Sequence, residues 1–181
     1  MNRSTLLLLG LAVSAVSALQ AQTAAAPTNP MIAEFKRIYT QIKNNVTRGA
    51  EKMPEDAYGF KPVADSDMRT FGALMGHIAD STLGLCSAAH GARKAGTAGT
   101  MTAKADLVAA LNAAFADCDA AWDTITDANA TEAVGQRTKL GSLIYATMHA
   151  NEEYGYMAVY LRLKGIVPPS SDNAGRSGKK K

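Results

Sequence analysis

Apolar residues recur along the chain at steps of three and four, the spacing that lines one face of an α-helix. Four segments show it. The first runs from about Pro30 to Gly49 and puts Ile32, Phe35, Ile38 or Tyr39, Ile42 and Val46 on one face, with Gly49 as its expected stop. The second, from about Thr70 to Ala89, turns Phe71, Leu74, Met75, Ile78, Thr82, Leu85 and Cys86 inward. The third begins near Thr102, whose hydroxyl is suited to cap it, and continues through Leu107, Val108, Leu111, Phe115, Cys118, Trp122 and Ile125. The fourth spans about Lys139 to Lys164, with Leu140, Leu143, Ile144, Met148, Met157, Tyr160 and Leu161 inward and Gly165 as a left-handed stop. No stretch alternates with period two, so no sheet is expected. The predicted fold is all-α, a four-helix bundle with a long first connection. That connection is rich in turn formers, Met53-Pro54-Glu55-Asp56 and Phe60-Lys61-Pro62. It is long enough to cross the bundle or to cover one end and shape the mouth of a site. Gly72, Gly76 and Gly84 within the second helix predict close approach of a neighbouring helix.

The ends read differently. Met1 to Thr5 is polar and basic, Leu6 to Val13 is a short apolar run, and small residues follow, the organisation of a secretory signal peptide. Cleavage is expected after Ala21, giving a mature start at Gln22, and the apolar run is too short for a stable membrane span. The domains predicted are therefore a signal peptide over 1–21, a linker over 22–29, the bundle over 30–169 and a disordered basic tail over 170–181. Localisation follows as export, to a bacterial periplasm or the extracellular space.

Composition refines this picture. Hydrophobic residues make up 47% of the 181, which excludes disorder for most of the chain. Aromatics are only 6% while alanine is abundant, favouring closely packed helices over a β-sandwich. The net charge of +3 comes from the ends, where Arg3, Arg176 and Lys179 to Lys181 outweigh Asp172 and leave the middle at −1. With the middle close to neutral, a nucleic-acid-binding domain is not expected. Cys86 and Cys118 fall on apolar faces of the second and third helices, so they either bridge those helices or lie buried as free thiols. Neither belongs to a CxxC redox motif.

Three histidines carry the candidate chemistry. His77 lies mid-way along the second helix and His149 mid-way along the fourth, with Glu153 four residues later on the same face. Two imidazoles and a carboxylate from facing helices can hold a divalent ion and leave positions open. Such an ion makes hydroxide available from a bound water near neutral pH. A satisfied core histidine and an ordinary His-x3-Glu pair are the plainer readings of the same residues. His90 sits at the end of the second helix, where it complements the dipole. Ser81, one turn after His77, is not by itself a nucleophile–base pair. Glu152 lies about 100° around the helix from Glu153, on the solvent side or behind the ligands. Tyr156, seven residues after His149 on the same face, is placed to orient a substrate or the water, and is the candidate catalytic residue.

Two stretches together carry a family resemblance. One is Lys52-Met53-Pro54-Glu55, Tyr58 and Phe60-Lys61-Pro62, leading to Arg69-Thr70-Phe71-Gly72-Ala73-Leu74-Met75-Gly76-His77-Ile78-Ala79-Asp80. The other runs from His149-Ala150-Asn151-Glu152-Glu153 through Tyr156 to Gly165 and Pro168-Pro169. The chain resembles the DinB-like (YfiT-like) superfamily over about Pro30 to Ser171. The resemblance implies a four-helix bundle with a metal held by three histidines, one from the second helix and an H-x3-H pair on the fourth. His77 and His149 match the first two, and the third position is Glu153. It further implies zinc, nickel, iron or manganese as cofactor, with Glu153 favouring harder ions. Some relatives use the metal to activate low-molecular-weight thiols, which are mainly cytosolic and fit an exported protein poorly. The function expected is an exported, metal-dependent hydrolase or small-group transferase acting on a small molecule through a metal-bound water. The alternative is a non-catalytic bundle, binding a metal or partner, that has lost the three-histidine site. Nucleic acid and stable membrane insertion after cleavage are not expected, and a homodimer stays open.

Overall fold

The computed structural model describes residues 29–172, so the expected signal peptide, all of the expected linker but Asn29, and residues 173–181 of the expected tail lie outside the described residues. Four helices carry the domain: α1 over Pro30–Lys52, α2 over Phe71–His90, α3 over Lys104–Thr124 and α4 over Lys139–Leu163. Three of the four starts follow from local chemistry. The Asn29 side chain accepts from the Met31 amide at 2.9 Å, with Pro30 opening α1. Thr70 accepts from Ala73 at 3.2 Å to open α2, and Thr138 from Gly141 at 3.0 Å to open α4. Thr102 does not cap α3: the helix starts two residues later behind Ala103, without a side-chain cap. Gly165 ends α4 as expected, at φ +72°, with the Ile166 amide donating to the Leu161 carbonyl.

Gly49 does not stop α1. The helix runs on to Lys52, because Gly49 is the buried floor on which α4 rests; an added Cβ there would overlap the Met157 sulfur. In α4 the inward stripe passes through Leu143, Ala146, Thr147, Ala150, Glu153, Tyr154, Met157 and Leu161. Met148 instead faces solvent at 62% exposure, one position off the stripe. The absence of a sheet needs one amendment. Ala133–Val134 (β1) pairs antiparallel with Arg137–Thr138 (β2) in a two-residue ribbon that leads into α4.

Around the bundle the neighbours are α1 with α3 and α4, and α2 with α3 and α4. Helices α1 and α2 therefore stand diagonally, and the first connection crosses an end of the bundle to join them. Its turns are anchored. Tyr58 donates to the Ala50 carbonyl at 2.8 Å, while Phe71 and Gly72 donate to the carbonyls of Phe60 and Tyr58 at 2.9 and 2.8 Å. Tyr160 of α4 donates to the Arg69 carbonyl at 2.7 Å, tying the end of the connection to the fourth helix.

The core contains Trp122, Phe71, Met75, Ile78, Leu107, Leu111, Leu143 and Met157, all within 2% of full burial. Cys86 and Cys118 are joined as a disulfide between α2 and α3, with Cα atoms 4.8 Å apart, which settles the two readings of the cysteines. The glycines of α2 do allow close approach, to the connections at all three positions and, at Gly72, to α3 as well. Gly76 faces the Ala98 and Gly99 backbone, Gly84 the Arg93–Lys94 segment, and Gly72 the Tyr58 carbonyl beside Leu107. Asp80 fixes the first of these contacts, accepting from the Ala98 and Gly99 amides at 2.8 and 2.9 Å.

The first residues of the expected tail are folded. Pro168-Pro169 does not end α4, which Gly165 already closes. A short 3-10 helix over Pro169–Ser171 packs back instead, with Tyr154 donating to the Ser170 hydroxyl at 2.8 Å. Asp172 then pairs with Lys52 at 2.6 Å. Ser170 to Asp172 thus belong to the folded unit.

Candidate metal centre

His77 comes from α2 and His149 and Glu153 from α4, two helices that are neighbours in the bundle. Their rings and carboxylate converge. The imidazole centroids are 5.0 Å apart and nearly perpendicular. His77 Nε2 lies 3.3 Å and His149 Nδ1 3.8 Å from Glu153 Oε1. One donor atom from each residue falls within 4.8 Å of the other two. Tetrahedral coordination with bonds of about 2.0–2.2 Å spaces adjacent donors about 3.3–3.6 Å apart. The three residues would therefore hold one ion after small side-chain movements.

Glu153 is 5% exposed, and its Oε2 is buried without a hydrogen-bond partner among the described residues. A buried carboxylate with one unused oxygen is costly unless something positive sits beside it. Two imidazole nitrogens aimed at the same carboxylate likewise require a proton or a cation among them. Neither Lys139 nor Arg69 is its partner: Lys139 pairs with Glu132 at 2.5 Å, and Arg69 makes no ion pair among the described residues. The donor set present here fits a divalent ion.

The protonation states are prepared for this. Burial pushes the His77 imidazole below the ordinary histidine range, and the Arg69 guanidinium adds to it, while the Glu153 carboxylate pulls the other way. At neutral pH the ring is then neutral, the form that donates a lone pair. His149 is oriented by Ser81. The Ser81 hydroxyl donates to the His77 carbonyl, so its oxygen is left to accept from His149 Nε2 at 3.2 Å. This network assigns the proton of His149 to Nε2 and leaves Nδ1 unprotonated, facing Glu153. Ser81 thus holds a ligand candidate in place and is not poised as a nucleophile. Sequence spacing showed only its distance from His77; its contact with His149 crosses between helices.

Tyr156 is 52% exposed and lines a cavity of about 220 Å³ together with Glu153. The other contributors are Asp67, Met68 and Arg69 from the end of the first connection, with Leu74 and Tyr160; of these, Asp67 and Met68 carried no signal in the sequence. The expected role of that connection in shaping the mouth of a site rests on these three residues. Glu152 is exposed, with its carboxylate 3.9 Å from His149 Nδ1. His90 closes α2 away from the cluster.

The model of the DinB superfamily matches residues 38–157, more than half the chain and all three clustered residues. The chain belongs to the DinB superfamily. No curated protein matches it. Within the DinB bundle, then, this protein joins two histidines to a buried glutamate, and that donor set is arranged to take up a metal ion.

Proposed function

We propose that this DinB-superfamily protein is an exported, divalent-metal-dependent enzyme that hydrolyses or transfers a small group. His77, His149 and Glu153 are its ligands. The observation that carries the reading is the convergence of their three donor atoms within 4.8 Å around a buried carboxylate oxygen with no other partner. An ion held there supplies a Lewis acid and a water acidic enough to act as nucleophile near neutral pH. The protein's own groups do the rest. Ser81 fixes the His149 ring, burial keeps His77 neutral, and the Tyr156 hydroxyl stands at the cavity to orient substrate. Tyr160 is held protonated by burial and by the nearby Glu153 charge, so it serves as a donor to the Arg69 carbonyl and not as a base.

Zinc, nickel, iron and manganese all suit imidazole and carboxylate, and the exchange of an imidazole for Glu153 hardens the set toward iron and manganese. Export is supported by the basic start and apolar run of the first 21 residues and by the Cys86–Cys118 disulfide, a bond that persists in oxidising compartments. The test is metal content of the protein purified without a histidine tag, followed by assay of ester and phosphate-ester substrates before and after chelation. One divalent ion per chain and turnover that chelation abolishes and metal restores is the expected outcome. One ion per chain with no turnover of either substrate class favours the non-catalytic, metal-binding bundle, and a chain that takes up no ion excludes both.

A further inference from the structure

We propose that the cavity beside Glu153 is a subsite for a small organic anion, whose carboxylate is taken by Arg69 and whose apolar body lies against Tyr156, Met68 and Leu74. The inference rests on the metal reading above, and names the substrate class that the centre would act on. At about 220 Å³ the cavity is smaller than the range of about 300–1,000 Å³ typical of drug-sized ligands, so a single ring or short chain fits and a nucleotide does not.

Arg69 is the cavity's one cationic residue among those described, and it is exposed and unspent. It makes no ion pair among the described residues, although Asp67 and Glu153 line the same space. Its backbone is held by the 2.7 Å hydrogen bond from Tyr160, which in turn packs edge-on against Phe60 with ring centres 6.1 Å apart. A planar guanidinium offers paired donors matched to a carboxylate.

Charge decides the sign of the ligand. Arg69 against Asp67 and Glu153 leaves the metal-free cavity one charge negative. A divalent ion on the Glu153 side reverses it to one positive. An anion is therefore favoured only when the centre is loaded, with its carboxylate on Arg69 and its other end toward Glu153.

The experiment is calorimetric titration of the zinc-loaded protein with benzoate and with its neutral isostere benzamide, in wild type, R69Q and R69K. Zinc affinity is measured first in all three. Because Arg69 is exposed, both substitutions are expected to leave folding intact, and a melting curve for each verifies it. The expected result is that benzoate binds wild type in preference to benzamide, that R69Q weakens benzoate about tenfold or more with zinc affinity not reduced, and that R69K is intermediate. Benzoate binding that is unchanged in R69Q, or equal to that of benzamide, overturns the subsite while leaving the metal centre standing. Failure of wild type to bind benzoate when zinc is bound does the same. Failure to bind zinc at all removes both, since the cavity then stays negative.

Discussion

Replacing Glu153 by methionine is expected to move stability in opposite directions with and without metal. In the metal-free protein Glu153 is 5% exposed, and its Oε2 has no partner. An unsatisfied buried acceptor costs about 1–3 kcal/mol, and a charged one more. The opposing contribution is the 3.3 Å contact of Oε1 with His77. That imidazole is about a third exposed and its proton affinity is lowered, so solvent screens the pair and it contributes about 0–1 kcal/mol. Methionine has a similar length, fills the same space and needs no partner. The balance is a gain of about 1–2 kcal/mol in chelator, or about 2–8 °C in melting temperature for a domain of this size. With free zinc at about 1,000 times its dissociation constant, wild type gains about 4 kcal/mol, and the variant, reduced to two imidazoles, gains far less. Melting curves in chelator and in zinc should therefore cross in rank. A variant less stable than wild type in chelator would show that Glu153 is a structural partner of the histidine. An undiminished zinc response would remove it from the metal site. Either result refutes the reasoning.

Ser81→Ala removes the acceptor that holds His149 Nε2 and should weaken zinc binding about 10- to 100-fold in a competition assay against a chromophoric chelator, while Ser81→Thr keeps most of it. Substituting alanine for both Cys86 and Cys118 opens a cross-link across 32 positions of chain and should lower the urea-unfolding free energy by about 3–4 kcal/mol; a loss below about 1 kcal/mol would mean the bridge constrains nothing. In Gly76→Ala the added methyl carbon would meet the Ala98 carbonyl oxygen at 2.6 Å and its carbon at 2.9 Å. Backbone cannot swing aside, so the helix-propensity gain of about 1 kcal/mol is overridden, with a net loss of about 1–3 kcal/mol in the melt and weaker zinc binding through the adjacent His77. Because the folded-state pKa of His77 is lowered, the unfolded chain binds its proton first on acidification. Metal-free stability should be level above about pH 6.5 and fall as pH drops below it through the folded-state value, and the fall should be shallower in His77→Gln in a pH series of melts.

The helices, their count and three of their four starts were legible in the chain, because periodicity and caps are local. Pro30, Thr70, Thr138 and Gly165 act on residues within a turn of themselves. So was the candidate site, since His-x3-Glu spacing puts His149 and Glu153 on one face whatever surrounds them. Gly49 reads as a stop for the same local reason, and fails as one because Met157, far along the chain, packs on it. Hydropathy favoured Met148 over Thr147 and Glu153 for the interior of α4, yet the last two are buried and Met148 is not. The face turned to α2 is chosen by the whole helix, and there it carries a small residue and a ligand candidate in place of bulk. Tertiary structure alone decided that the cysteines meet, that Ser81 of α2 fixes the ring of His149 on α4, and that Arg69 of the first connection shares a cavity with Glu153 of α4. Each of these pairs lies on different elements, and their distance is set by how helices cross and loops close, which no window along the chain contains.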